Sequence, residues 1–318
     1  MNHICSTVPY YLKMKNNLLT VLIVLIGNFT FAQSSSKLSF HKGFHLLTID
    51  RAQAIAHLTE SITLDSTNAE AYYYRGIVNY KEGNYSESIS DFDQARFLDS
   101  ALTITHIYKG FALRRIGEIN GAISEFSTYL AKHPEDTSAY SYILRGKLRQ
   151  QAGDNLGAEE DYDLAIALKP IEEKYYYYRF NSMYERKNYK GALKEINQVI
   201  KLNPEFYGYY FNRGNTLFNQ EQFDEAIMNY NKSIELYNYN ADAYYKRGEV
   251  YEALKKHNQA IESYSMAILM NPNDGTFYSR RGNSKYSNGD KIGACEDWEL
   301  AESKGYYEDY EKMKKLCE

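Results

Sequence analysis

The chain has 318 residues, of which 44% are hydrophobic and 25% are charged, and its formal net charge is -4. This length allows one large hydrophobic core or two ordinary ones, so it leaves the architecture open. The charges are interspersed without a basic stretch, which argues against a nucleic-acid-binding surface.

The first 32 residues have the pattern of a secretory signal peptide. Lys13 and Lys15 precede the apolar stretch 18–32, and the polar residues QSSS follow it. The apolar core is shorter than the ~20 residues that a membrane-spanning helix needs. We therefore expect cleavage behind Ala32 and a periplasmic or secreted protein, with an uncleaved membrane anchor as the alternative. Because such signals carry their basic residues near the initiator methionine, Met14 is a possible true start.

A repeat of mostly 34 residues governs the rest of the chain. A basic residue followed by Gly recurs, and a small residue follows each Gly by twelve positions. The pairs are Arg75-Gly76, Lys109-Gly110, Arg145-Gly146, Arg213-Gly214, Arg247-Gly248 and Arg281-Gly282, with Arg179-Phe180 in the same register. Apolar spacing predicts two helices in each unit, for example one over 69–81 and a second that ends near Leu98. Two helices of this length cannot bury their apolar faces alone, so we expect successive units to stack.

The pattern of an aromatic residue, Gly four positions later, and then Ala, aromatic, Ala and Pro resembles the tetratricopeptide repeat (TPR) family. The resemblance covers about residues 35–308, in eight units that start near Ser35, Ala69, Thr103, Ala139, Glu173, Tyr207, Ala241 and Gly275. It implies an all-α fold, a right-handed superhelical α-solenoid of about eight helix-turn-helix units over 33–306, with a C-terminal capping helix over 307–318. The first unit fits least well, since Gly43 lies eleven rather than twelve residues before Ala54.

The basic residue of each unit is expected to form an ion pair across its two helices. An acid usually follows the basic residue by sixteen positions, and the turn lies midway between them. The expected pairs are Arg75/Asp91, Lys109/Glu125, Arg145/Asp161, Arg179/Glu195 and Arg281/Asp297. Asn229 and Ser263 replace the acid after Arg213 and Arg247. We interpret the basic residues as structural, with anion binding as the alternative.

Catalytic and metal-binding motifs are missing from the sequence. His41 and His45 have an i, i+4 spacing that suits a metal ion, but the sequence offers no obvious third ligand. No phosphate-binding Gly loop or nucleophile motif occurs. We expect a protein that is not an enzyme and that needs no cofactor or metal.

Cys295 and Cys317 are the candidates for a disulfide. Cys295 lies in the second helix of the last repeat and Cys317 near the end of the predicted capping helix. If that helix folds back antiparallel to the second helix of the last repeat, the two thiols lie at similar positions along the helix axes. By loop entropy the bond would contribute about 3 kcal/mol.

In TPR proteins the first helices of successive repeats line a concave groove that holds an extended peptide or a partner's helix. Transferred by register, the groove positions are the second, fifth, sixth, ninth, twelfth and thirteenth of each unit. The resemblance therefore implies a partner-binding face made of Tyr73, Tyr74, Ile77, Tyr80, Tyr108, Phe111, Arg114, Arg115, Tyr177, Tyr178, Asn181, Tyr184, Phe211, Asn212, Asn215, Phe218, Lys246, Arg280 and Asn283. Further groove positions are Ile107, Tyr140, Lys147, Gln150, Asn219, Tyr245, Glu249, Glu252 and Tyr286. The alternative is that these side chains only pack neighbouring helices.

The expected function is a non-catalytic scaffold for a protein or peptide partner of unknown identity. We expect no nucleic acid and no small-molecule substrate. Contact with a membrane is expected only through the N-terminal segment, if it is uncleaved. The alternatives are a membrane-anchored assembly factor and a non-catalytic subunit of an envelope enzyme complex. The carboxylate-clamp subgroup of the family uses a Lys-Asn pair at the fifth and ninth positions. Here Phe211 stands with Asn215 and Ser279 with Asn283, so binding of a chaperone tail is not expected.

The aromatic stretch KYYYYRF, residues 174–180, divides by register. Tyr176 is expected in the core, Tyr177 and Tyr178 in the groove, and Tyr175 against the preceding repeat. Phe180 replaces the close-contact Gly. An overpacked contact of this kind costs about 1–3 kcal/mol, so we expect the two helices to separate there.

Overall fold

The computed structural model describes residues 30, 32–134, 138–306 and 315–317. Within these residues every regular element is helical. The chain divides into two compact units, Met1–Ala152 and Gly153–Glu318. Of the predicted signal peptide, only residues 30 and 32 are described. Of the predicted capping helix over 307–318, only residues 315–317 are described, and they are helical.

The first unit contains seven described helices. They are α1 (32–46), α2 (Arg51–Leu64), α3 (Ala69–Glu82), α4 (Tyr85–Leu98), α5 (Thr105–Arg115), α6 (Ile119–Lys132) and α7 (Tyr140–Gln151). From α2 to α7 each helix packs against the next, and α3 also touches α5. The α3–α4 pair confirms the two helices predicted for that repeat.

The second unit contains nine described helices. They are α8 (Asn155–Leu168), α9 (Glu173–Glu185), α10 (Tyr189–Leu202), α11 (Tyr207–Asn219), α12 (Phe223–Leu236), α13 (Ala241–Ala253), α14 (His257–Met270), α15 (Gly275–Ser287) and α16 (Lys291–Ser303). Each packs against its neighbour in sequence, and α11 also touches α13. The protein is therefore all-α, with the helix pairs of an α-solenoid.

Polar residues in the short connections start many of these helices. Asn68 Oδ1 accepts a hydrogen bond from the Ala71 amide at 3.1 Å, and Asn240 Oδ1 accepts one from Ala243 at 3.2 Å. Such caps satisfy an amide that the first helical turn leaves unpaired. The recurring Asn or Asp before the first helix is therefore a local start signal that the sequence supplies.

The repeated Gly on the first helix of a pair lies against a buried ring from the second helix. A Cβ on Gly76 would lie 2.8 Å from Phe92, and one on Gly248 would lie 2.6 Å from Tyr264. Gly110, Gly214 and Gly282 have the same relation to Phe126, Tyr230 and Trp298. Gly is required at this position because the ring sixteen residues later occupies the space that a side chain would need.

The predicted overpacking at Phe180 was wrong. The residue sixteen positions after Phe180 is Ile196, where the other helix pairs that carry Gly76, Gly110, Gly214, Gly248 or Gly282 have an aromatic ring. Phe180 is 2% exposed and Ile196 is fully buried, and both belong to one core cluster with Ala192. In this pair the large side chain lies on the first helix, whereas in the other pairs it lies on the second. The total side-chain volume between the two helices is therefore similar.

The other rings of KYYYYRF partly follow the predicted division. Tyr175 is buried, as expected for a residue that presses on a neighbour. Tyr176 is half-buried and packs on the Phe180 cluster, and its hydroxyl donates to the Pro170 carbonyl at 3.1 Å. The predicted core ring therefore lies at the edge of the core.

The first repeat forms a helix pair despite its poor fit to the pattern. A Cβ on Gly43 would lie 2.8 Å from Leu58 Cγ, fifteen rather than sixteen residues later. Ser36 Oγ donates to the Ser61 carbonyl at 3.0 Å and joins α1 to α2. The one-residue offset of Gly43 therefore preserves the close contact between the helices.

The structure contains the disulfide that the sequence predicts. Cys295 on α16 is bonded to Cys317, and their Cα atoms are 5.8 Å apart. The bond ties the C-terminal residues to the last helix pair of the second unit.

Candidate partner-binding face

The predicted groove residues of α3 and α5 form a connected cluster of aromatic rings. Tyr73 lies 6.0 Å from Tyr108, Tyr80 lies 6.3 Å from Phe111, and Tyr108 lies 6.4 Å from Phe111, measured between ring centroids. Tyr74 joins the cluster through Tyr73 at 5.0 Å. All five rings are half-buried, and burial raises the pKa of the Tyr73 hydroxyl.

A cavity of about 180 Å³ lies beside this cluster, between α5, α6 and α7. It is lined by Phe111, Arg114, Phe126, Leu144, Lys147, Leu148 and Gln151. A closed apolar cavity of about 150 Å³ holds a benzene ring, so the volume of this one is sufficient for one large apolar side chain. Arg114 and Lys147 are exposed and add positive charge to the lining. Three of the lining residues, Phe111, Arg114 and Lys147, belong to the predicted groove.

Two other groove positions of α5 have different surroundings. Ile107 is buried in one cluster with Ala122, Phe126 and Leu148, so its predicted groove position was wrong. Arg115 donates from Nε to the Tyr85 hydroxyl at 2.9 Å and stacks on the same ring. Arg115 therefore fastens α5 to the start of α4.

In the second unit, groove side chains of α9 and α11 bond to each other. Asn212 Nδ2 donates to the Tyr177 hydroxyl at 3.0 Å, and Asn219 Nδ2 donates to the Tyr184 hydroxyl at 2.9 Å. In both pairs the residues are 35 positions apart. These groups connect consecutive repeats, so part of the hydrogen-bonding capacity expected for a partner is already used.

Two of the Asn residues at the ninth position satisfy polar atoms of buried rings. Asn215 Oδ1 accepts from the Tyr230 hydroxyl at 2.8 Å, and Asn283 Oδ1 accepts from Trp298 Nε1 at 3.1 Å. Ile77 stands at this position where the ring is Phe92, which has no polar atom. The fifteen-residue match between a polar ring and a polar ninth position was a usable signal that our sequence reasoning missed.

The remaining groove residues of the second unit have mixed environments. Tyr178 lies 5.8 Å from Tyr162, and Phe218 lies 5.8 Å from Phe223. Lys246 Nζ pairs with Glu249 at 2.7 Å. Asn181 on α9, Phe211 on α11 and Arg280 on α15 are half-buried, and so are Tyr178, Phe218 and Lys246.

The basic residues of the repeats form a structural row, as predicted. Arg75–Asp91, Lys109–Glu125, Arg179–Glu195 and Arg281–Asp297 are all ion pairs in the structure. Arg145 and Asp161 belong to different units, and their pairing stays a prediction.

Our sequence reasoning missed a second partner, sixteen residues before the basic residue. Arg281 Nη1, for example, donates to Ser265 Oγ at 3.1 Å. The corresponding partners elsewhere are Thr59, Asp93, Asp163, Asn197 and Asn231. Each of these basic residues therefore joins its own helix pair to the preceding one.

Tetratricopeptide-repeat family models match residues 50–101, 214–255 and 241–274. The chain contains tetratricopeptide repeats. Among solved structures, the TPR chain resembles the C-terminal part of a TPR repeat-containing protein from Cytophaga hutchinsonii, with a TM-score of 0.66 and 18% identity over 76% of this chain and 98% of that one. A TPR protein from Parabacteroides merdae matches with a TM-score of 0.55 and 19% identity over 78% and 98%. The MamA protein matches with a TM-score of 0.50 and 24% identity over 55% and 94%. These likenesses show the fold of the TPR array, and no curated protein matches the chain significantly.

The described part of this TPR protein offers no group of three or more His, Cys, Asp or Glu side chains placed to hold a metal ion. His41 and His45 are both exposed on α1. Among the described helices, none combines the length and the apolar character that crossing a membrane requires.

Proposed function

We propose that this TPR protein is a non-catalytic scaffold that binds a peptide segment of a partner on the first-helix face of its first unit. The observation that carries this proposal is the cavity beside the half-buried rings of Tyr73, Tyr108 and Phe111. Half-buried aromatic rings supply large, rigid contact area at low entropic cost, which is the chemistry of binding hot spots.

The lining of the cavity suggests what the peptide must carry. Phe126, Leu144 and Leu148 favour a large apolar side chain inside the cavity. Arg114 favours a carboxylate near that side chain. A segment with an apolar residue close to an acidic one satisfies both requirements.

Panning of the purified chain against a displayed peptide library tests this proposal. We expect enriched peptides to bind at least about tenfold more weakly to the variants Phe111→Ala and Arg114→Glu, because each substitution removes a side chain that lines the cavity. A tenfold change in affinity equals about 1.4 kcal/mol of binding free energy. Phe97→Ala is the matched control, since Phe97 is an aromatic residue of the same unit that is 83% exposed on α4. An equal loss of peptide affinity in the control variant would contradict the proposed face. Unchanged peptide affinity in all three folded variants would also contradict it.

We also propose that the protein is exported with its signal peptide removed. The apolar N-terminal stretch and the Cys295–Cys317 disulfide support this, because disulfides persist in oxidising compartments. Intact-mass measurement of protein from the periplasmic or secreted fraction should show cleavage behind Ala32 and no free thiol at these two cysteines before reduction. Full-length chain in the membrane fraction would instead favour the anchored assembly factor.

A further inference from the structure

Arg213 lacks the acidic partner that other members of the basic row possess. Its Nε donates to Asn229 Oδ1 at 2.6 Å and its Nη1 donates to Asn197 Oδ1 at 2.9 Å. Both acceptors are neutral amides. Among the described residues, no carboxylate pairs with this guanidinium.

Arg247, one repeat later, has the same deficit. Its Nε donates to Ser263 Oγ at 3.1 Å and its Nη1 donates to Asn231 Oδ1 at 2.8 Å. The described side chains provide a hydroxyl and an amide but no carboxylate. Two consecutive repeats therefore each hold a positive charge with neutral partners.

One nitrogen distinguishes these two arginines from the acid-paired ones. Nη2 of Arg75, Arg179 and Arg281 donates to a carboxylate at 2.7, 2.5 and 2.6 Å. In the described residues, Nη2 of Arg213 and of Arg247 has no hydrogen-bond partner, yet neither atom is buried. The same atom that binds an acid in other repeats therefore faces solvent here.

The surroundings of both guanidinium groups replace the missing negative charge only in part. Arg213 stacks 5.4 Å above Tyr210, and Arg247 stacks 5.4 Å above Tyr244. Both arginines are half-buried. Burial lowers the pKa of Arg213, since no nearby acid compensates for the lost hydration. A half-buried cation gains most from an oxyanion that reaches its remaining donor.

We propose that Arg213 and Arg247 bind carboxylate groups of an acidic segment in a partner polypeptide. A carboxylate is the favoured ligand because it occupies the equivalent nitrogen in three other repeats. This surface lies in the second unit and does not depend on the cavity proposed for the first.

A fluorescent hexaglutamate peptide, titrated against the full chain at an ionic strength of about 0.1 M, where the Debye length is about 10 Å, tests this inference. Asn229→Asp with Ser263→Asp supplies an internal acid to each guanidinium, so we expect binding at least about tenfold weaker than in the unmodified protein. Asn238→Asp with Gln259→Glu is the charge-matched control, since both side chains are exposed and bond to neither arginine. The control should stay within about threefold of the unmodified protein, because distant surface charges are screened.

Three results would overturn the proposal. The first is no binding of hexaglutamate to the unmodified protein under these conditions. The second is an equal loss in both double variants, which would show a general charge effect. The third is tighter binding of inorganic tripolyphosphate with the same dependence on Asn229→Asp and Ser263→Asp. Arg213→Gln with Arg247→Gln, checked for folding by circular dichroism, should abolish binding.

Discussion

Phe180→Gly is expected to destabilise the second unit by about 3–5 kcal/mol, because it removes a buried ring and leaves a cavity against Ile196 and Ala192. Ile196→Phe alone is expected to cost about 1–3 kcal/mol through overpacking against Phe180. Together the two substitutions recreate the Gly-and-ring arrangement of the other repeats. We therefore expect the double variant to lose much less stability than the sum of the single variants.

Urea unfolding of the four proteins in this double-mutant cycle measures the coupling directly. Met228→Gly is the control for the helix-breaking effect of Gly, since Met228 lies on α12 of the same unit and is 69% exposed. That effect alone is about 1 kcal/mol. Strictly additive costs in the double variant would show that Phe180 and Ile196 do not compensate for each other.

Asp297→Ala is expected to destabilise the last helix pair by about 3–5 kcal/mol, because it leaves two cations without their shared counterion in a buried position. The Asp297 side chain is 2% exposed and pairs with Arg281 at 2.6 Å and with Lys285 at 2.9 Å. Arg281 also donates from Nε at 2.8 Å, so one carboxylate holds both residues of α15.

Asp297→Asn is the matched variant for this prediction. It keeps one acceptor oxygen for Arg281, as Asn229 does for Arg213, but removes the charge and replaces the second oxygen by an NH2 group. We expect a cost well below that of Asp297→Ala in the same urea experiment. If both variants cost less than about 1 kcal/mol, the ion pair behaves as an exposed one and our account of its burial fails.

Contacts within one helix pair were predictable from the sequence because the turn between the two helices has a constant length. The sixteen-residue offset placed Arg75 opposite Asp91 and Arg281 opposite Asp297, and the structure confirms both pairs. Comparing side-chain sizes at the same sixteen-residue offset would have shown that the large Phe180 faces the smaller Ile196, where other pairs combine Gly with an aromatic ring. Our error there was to consider Phe180 without its partner.

The candidate binding face was only partly predictable. Register placed Tyr73, Tyr108 and Phe111 on one face, and the structure brings their rings together. It did not indicate that Asn212 bonds to Tyr177 or that Ile107 enters the core. Those outcomes depend on how one helix pair packs against the next, and the length of the turn within a pair does not determine that packing.

By itself, the sequence determined the repeat, the helix pairs, the contacts inside each pair and the cysteines that bond. These follow from residue spacing, because antiparallel helices joined by a short turn bring fixed offsets into contact. The tertiary structure decided which groove side chains bond to the next repeat, as Asn212 does to Tyr177, and which enter the core, as Ile107 does. The physical reason is that stacking between pairs depends on the packing of many side chains at once, whereas contacts inside a pair follow from the length of one turn.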